Sequence, residues 1–174
     1  MDGLATLFAF GGVYAAGSFD FDESDILFFG IALNITAGLG SFVFSWLDDH
    51  VGSQRTILYS LAGLIFSGST LLLAHSELLF WIAGLVLGIF VGPVQAASRS
   101  YMARVAPPAM VNEMFGLYAF SGKATSFVGP LLVGWITFAT GSQRIGMSII
   151  IVMFVIGFLL MLSVPRSVDS KTGP

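Results

Sequence analysis

Apolar residues run through this sequence in long blocks separated by short polar stretches, with no strand-like alternation. Six blocks stand out, over residues 4–19, 26–47, 56–74, 78–102, 114–140 and 145–164. Most reach the roughly 20 residues that a helix needs to cross a bilayer. Blocks of this length and polarity predict membrane-spanning helices, because in lipid a helix satisfies its own backbone hydrogen bonds. The first block is short for a span and only three residues precede it, so the chain reads as beginning inside a longer parent sequence. The connections are short, which makes consecutive helices antiparallel. The expectation is a single all-α transmembrane domain of six helices, followed by a short polar tail over 165–174.

The charges between the blocks set an orientation. With the N-terminus in the cytoplasm, the inside segments carry Arg55, Arg99, Arg104, Arg166 and Lys171, and the outside loops carry only Arg144. Basic loops stay on the cytoplasmic side, so the chain is expected to be multi-pass in the cell membrane with both termini inside. The acidic stretch FDFDESD and Glu77 then fall outside. Composition agrees: 56% of residues are hydrophobic and 10% charged, against about 25% charged in a soluble domain. Net charge −3 argues against a nucleic-acid partner, which would call for a basic face. The absence of cysteine excludes disulfides and thiolate metal sites, and neither a metal nor a cofactor is expected.

A short repeat sharpens the architecture. Gly52-Ser53-Gln54-Arg55 recurs as Gly141-Ser142-Gln143-Arg144, each time just ahead of an apolar block. The same offset carries the second block onto the fifth and the third onto the sixth. Three helices reverse direction, so the two turns lie on opposite membrane faces, the pattern of two inverted three-helix repeats found in secondary transporters.

Polar residues inside the blocks are the candidates for chemistry. In the fourth block Gly84, Gly88 and Gly92 recur at four-residue spacing, offering a surface for close helix approach. Pro93 removes a backbone donor and predicts a kink. Beyond it Gln95 and Arg99 share a face, one turn apart; Gln95 also reads as helix–helix glue and Arg99 as an arginine snorkelling at a helix end. Asn34 stands between Gly30 and Gly38 on a ridge of the second block, as interhelical glue or a solute contact. The fifth block holds Tyr118, Lys123, Ser126 and Pro130. Lys123 falls near the membrane midplane if its helix starts near residue 114, and an ionisable group at that depth faces a cavity or a partner by default. It is expected in a water-accessible cleft beside Ser126 and near Tyr118.

The stretch SWLDDHVGSQRTIL resembles the loop motif of the major facilitator superfamily, with Leu47, Asp49, Gly52 and Arg55 at matching positions, Ser45 in place of a glycine and His50 in place of a basic residue. The stretch GPVQAASRSYMARVAPPAMVNEMFGLYAFSGKATSFVGPLLVG looks like the second half of the major facilitator family related to vacuolar amino-acid efflux permeases, and DGLATLFAFGG resembles the start of a seventh helix. The resemblance implies the C-terminal half of a twelve-helix permease for a small solute, whose first and fourth helices line a central cavity. It also implies that the Asp49, Gly52 and Arg55 motif latches the halves during alternating access. The partner is then a missing N-terminal half or a second six-helix chain. The alternative is a non-transporting membrane scaffold or partner subunit. An intramembrane hydrolase is excluded by the lack of a H-E-x-x-H or G-x-S-x-G motif and by His50 and His75 falling in loops on opposite faces.

Overall fold

The computed structural model describes residue 17 and residues 22–164. The block over 4–19, apart from Gly17, and the tail over 165–174 with Arg166 and Lys171 lie outside the described residues. All regular structure among the described residues is helical: α1 (Glu23–Val51), α2 (Ser53–Leu73), α3 (Glu77–Val105), α4 (Val111–Thr125), α5 (Val128–Thr140) and α6 (Gln143–Ser163). Four of these, α1, α2, α3 and α6, are long and apolar enough to cross a membrane.

Local chemistry explains where the helices begin and end. Asp22 accepts from the Asp25 backbone N–H at 2.8 Å while the Asp25 carboxylate accepts from the Asp22 N–H at 3.3 Å. This capping box starts α1 ahead of its apolar block. The turn into α2 is Gly52 at φ 91°, a conformation that only glycine adopts cheaply. Ser76 caps α3 through the Leu79 N–H. Pro107 and Pro108 close α3, because a residue before proline disfavours the helical region.

The helix expected over 114–140 is two helices, which corrects the sequence expectation. Pro130 lacks an N–H and its ring crowds the carbonyl four residues back, that of Ser126. The break falls there, with Ser126 N–H bonded to the Lys123 carbonyl at a long 3.4 Å and a new helical ladder starting from Phe127. At 15 and 13 residues, α4 and α5 are about 22 and 20 Å long, too short singly for a hydrocarbon core of about 30 Å. Pro93 has the opposite outcome: α3 runs through it without interruption.

The core is formed by Leu64 of α2, Phe80, Leu87 and Val91 of α3, Val133 of α5 and Ile150 of α6, all fully buried. Phe42 and Phe138 are 82% and 89% exposed, and Trp46, Phe66 and Trp135 stand outward with them. Buried polar residues include Ser53, Thr56, Ser60 and Ser67 along α2. Large apolar groups outside and small hydroxyls inside suit lipid as the surrounding solvent.

α1 packs along α3, α3 against α2, and α2 and α5 against α6, whereas among the described residues α4 meets α3 sparsely. α1 and α3 run parallel and in register. Gly84 meets the Phe29 ring, Gly88 meets Leu33 and Thr36, Gly92 meets Ala37 and Ser41, and the Ile89 carbonyl lies against Gly40. None of these four glycines has room for a methyl group. The carbonyl that Pro93 deprives of its helical donor is that of Ile89, so the orphaned group is covered by the closest backbone approach in the seam.

The repeated Gly-Ser-Gln-Arg turns perform matching tasks. Gln54 Nε2, at the start of α2, donates to the carbonyls of Val164 at 2.9 Å and Met161 at 3.2 Å, at the end of α6. Arg144 Nη2, at the start of α6, donates to the carbonyl of Ala74 at 3.0 Å, just past the end of α2. Each helix start thus satisfies carbonyls left over at the other's end. These contacts define two rims. One holds Asp22, Ser76 and Ser142; the other holds Gly52, the α3–α4 connection and Val164.

Candidate functional site

Between α1 and α3 a cleft of about 360 Å³ opens beside the glycine contacts, lined by Asn34, Ala37, Gly38 and Ser41 from α1 and by Val91, Gly92, Gln95, Ala96 and Arg99 from α3. The positions fall three to four apart on each helix, so each set occupies one ridge. Nothing approaches Gly38 within 4 Å, and Ala96 is equally small, which leaves the space open. Asn34 Nδ2 donates to the Gly30 carbonyl at 2.8 Å and Ser41 Oγ to the Ala37 carbonyl at 2.9 Å, so Asn34 keeps its amide oxygen available. Among the described residues the Gln95 amide and the Arg99 guanidinium make no hydrogen bond or ion pair.

Arg99 also stands beside α4. The Tyr118 hydroxyl is buried without a hydrogen-bond partner, and its polar neighbours are Ser98 and Arg99. Ser98 spends its hydroxyl proton on the Val94 carbonyl at 2.6 Å. Lys123 is placed elsewhere: it is exposed in the last turn of α4, pairs with no acid among the described residues, and its backbone carbonyl accepts from Ser126 Oγ at 2.8 Å. Five helical residues separate Lys123 from Tyr118, about 140° around the axis, so when Tyr118 faces α3 Lys123 faces away. The structure therefore brings together Asn34, Gln95 and Arg99, sets Tyr118 against Arg99, and leaves Lys123 and Ser126 outside the cleft.

At the end of the same seam Arg104 of α3 reaches Asp48 at 3.4 Å and Asp49 at 3.6 Å. The Asp48 side chain is 10% exposed and that of Asp49 72%. The buried carboxylate is thus Asp48, whose Oδ1 has no partner. Carboxylates at a helix C-terminus oppose the helix dipole, and the guanidinium offsets that repulsion. Gly52 makes the turn behind them, while Arg55 is exposed.

A family model described as vacuole effluxer Atg22 like matches residues 1–172. The chain belongs to that family. Membership places the Atg22-like chain in a family described by vacuolar efflux, and its four long apolar helices fit a multi-pass membrane protein. It is 28% identical over 98% of its length to an uncharacterized MFS-type transporter, YxiO, of Bacillus subtilis, spanning 40% of that protein. It is 28% identical over 95% of its length to autophagy-related protein 22 of Candida glabrata, spanning 33% of that protein. Against autophagy-related protein 22 of Cryptococcus neoformans it is 34% identical over 57% of its length. The chain therefore spans less than half the length of these curated relatives. No solved structure matches it.

Sequence reasoning on the Atg22-like chain missed Ser41 and passed over Asp48 for its neighbour. A signal existed: Asn34, Ser41 and Asp48 step by seven along α1 and so share one ridge. The resemblance to a loop motif favoured Asp49, and adjacent helical positions point about 100° apart, so only one of the two could face the seam.

Proposed function

We propose that the Atg22-like chain forms one six-helix half of a secondary-active permease, which moves a small solute by alternating access between itself and another six-helix unit. The polar cleft between α1 and α3 carries this reading, since an otherwise apolar bundle leaves Asn34, Gln95 and Arg99 facing open space. The printed names of the family, vacuole effluxer, and of the Bacillus relative, MFS-type transporter, support it. The reciprocal caps support inverted repeats, because a twofold axis in the membrane plane that exchanges α2 and α6 would exchange the two capping turns, with Gln54 serving in one and its sequence neighbour's counterpart, Arg144, in the other.

The rim with Asp48, Asp49, Gly52, Arg55 and Arg104 faces the cytoplasm, as its basic residues require. The ion pairs there hold α1 and α3 together on that side and govern exchange between access states. Lys123 and Ser126, on the sparsely packed α4, belong to the surface that meets the other unit.

Since the chain has no cysteine, single cysteines test the reading directly. In sealed lipid vesicles, Asn34→Cys and Gln95→Cys are expected to react with a charged, impermeant thiol reagent applied to either side in turn, while Phe42→Cys and Phe138→Cys stay silent. Reactivity confined to one side under every condition sinks alternating access. Silence at both cleft positions removes the cleft from the aqueous path.

A further inference from the structure

We propose that the cleft is an anion subsite: Arg99 and the Tyr118 hydroxyl hold the carboxylate or phosphate group of a ligand, and Gln95, Asn34 and Ser41 hold its neutral portion. This rests on reading the cleft as a ligand site, and specifies the charge of what it takes.

Among the described residues the lining contains one cation and no acid. The acids elsewhere among the described residues do not supply a partner. Asp22, Glu23 and Asp25 start α1 and Glu77 starts α3, at the opposite end of the parallel pair; Arg99 lies about 33 Å along α3 from Glu77. Asp48 and Asp49 are engaged by Arg104. Glu113 is exposed near the start of α4 and makes no ion pair among the described residues. Arg99 keeps five N–H donors in a planar fork that matches a carboxylate or phosphate.

The second observation is independent of the first. A buried hydroxyl with no acceptor is rare in a folded protein and calls for an explanation. Tyr118 comes from a different helix, and its buried hydroxyl, which makes no hydrogen bond of good geometry, lies in the field of the same guanidinium. Ser98, whose own proton goes to Val94, offers it at most a neutral lone pair. An anion on Arg99 would accept from both groups. An ammonium would meet only the neutral oxygens of Asn34, Gln95 and Ser41 and the repulsion of Arg99. A volume of about 360 Å³ suits a small organic anion. Arg99 lies six residues from the end of α3, about 9 Å, within reach of a lipid phosphate as well. The two sources share the chemistry and differ in the test.

The whole chain is placed in nanodiscs of zwitterionic phosphatidylcholine, and binding is read from its thermal midpoint and tryptophan fluorescence at fixed ionic strength. The probes are benzoate, inorganic phosphate, the neutral isostere benzamide and the cation benzylammonium. Benzoate or phosphate is expected to bind at least about tenfold more tightly than benzamide or benzylammonium, as a charge-assisted contact requires. Arg99→Gln abolishes that preference. Arg99→Lys keeps the charge but loses the fork, and weakens binding about threefold or more; Tyr118→Phe does so by a few-fold. If Arg99→Gln fails to fold, the lysine and phenylalanine variants carry the test. Equal binding of benzoate and benzamide overturns the proposal, as does full anion binding by both of those variants. Repeating the titration with phosphatidylglycerol separates the sources: loss of the benzoate response identifies a lipid headgroup in the subsite, and its persistence identifies a free solute. Anion binding without two-sided cysteine access would leave this inference standing while the permease reading falls. Two-sided access with no anion preference would do the reverse.

Discussion

The seam between α1 and α3 and the limb formed by α4 and α5 each contain a proline, and the two prolines have opposite consequences. Pro93 strips the Ile89 carbonyl of its donor, yet α3 continues unbroken, because Gly40 of α1 closes over that carbonyl. Pro130 does the same to Ser126, and the helix ends there. Among the described residues α4 has no closely packed neighbour to hold a distorted turn in line. A proline inside a membrane helix is thus a kink or a break according to whether another backbone covers the freed group. The tight seam also carries the open cleft: rigid walls hold space beside them.

The strongest way to break this comparison is to overfill the seam. Gly92→Leu would drive a side chain into the Ala37 carbonyl and Ser41. It is expected to cost at least about 3 kcal/mol, read as loss of the cooperative thermal transition in detergent. Gly116→Leu on α4, where nothing lies within 4 Å, is expected to be neutral or slightly stabilising, since leucine is the better helix former by several tenths of a kcal/mol. Equal damage at both sites would erase the distinction between seam and limb.

The end of the seam should respond next. Arg104→Gln leaves the Asp48 carboxylate mostly buried without its cation. Removing one partner of a fully buried pair costs about 3–5 kcal/mol; with Arg104 41% exposed, about 1–3 kcal/mol is expected here. Asp48→Asn in the same chain should recover most of that loss. Asp49→Asn alone should change stability by less than about 0.5 kcal/mol, as exposed pairs do. A larger loss from Asp49→Asn than from Asp48→Asn would return the motif to the residue that the sequence resemblance favoured.

How far the sequence could be read follows the same division. The hydropathy blocks place α1, α2, α3 and α6 because a span is defined by the solvent around it, and that is written into composition. The ends lie a few residues away because they belong to side chains such as Asp22, Asp25 and Ser76, whose capping bonds hydropathy does not weigh. The break at Ser126 was hidden for another reason. Pro93 and Pro130 look alike in sequence, and only the neighbour across the backbone distinguishes them. Asn34 and Gln95 were recognisable singly as polar residues in apolar helices. That they share a cleft depends on the register of Gly88 and Gly92 against Leu33 and Ala37, which no single helix specifies. Lys123 drew attention by its charge, whereas the group that meets Arg99 is Tyr118, one phenol among many aromatics.

A smaller effect tests whether the two repeated turns are equivalent. Gln54→Ala and Arg144→Ala each remove donors from carbonyls at a helix end. Each is expected to cost about 0.5–1 kcal/mol, because water at the rims replaces part of the lost bond. The two sites lie at opposite ends of α2 and α6, about 30 Å apart, so the double variant should be additive within about 0.5 kcal/mol. Strong coupling between them would mean that the caps act through a motion of α2 against α6 and not as separate fastenings.

The smallest expected effect is at Lys123, and its sign is informative. α4 starts at Val111, with five residues between it and the end of α3, so both helices meet the same rim. Lys123 is then about 18 Å along α4, close to the middle of a hydrocarbon core of about 30 Å and too deep for its side chain to reach either interface. The ammonium is exposed on the bundle. Facing lipid, it would cost about 2.5–3.5 kcal/mol on the insertion scale, and Lys123→Met would stabilise the chain by a comparable amount. Facing water, or the polar surface of another six-helix unit, it costs little. The sparse packing of α4 and the nearby carbonyls at its C-terminal end, which favour a cation, support the second arrangement. Lys123→Met is therefore expected to shift stability in lipid nanodiscs by less than about 0.5 kcal/mol and to leave benzoate binding in the cleft unchanged. Lys123→Cys should react with an impermeant thiol reagent. A stabilisation above about 2 kcal/mol, with Lys123→Cys silent, would turn that face of α4 toward lipid and remove it from the surface that meets a partner.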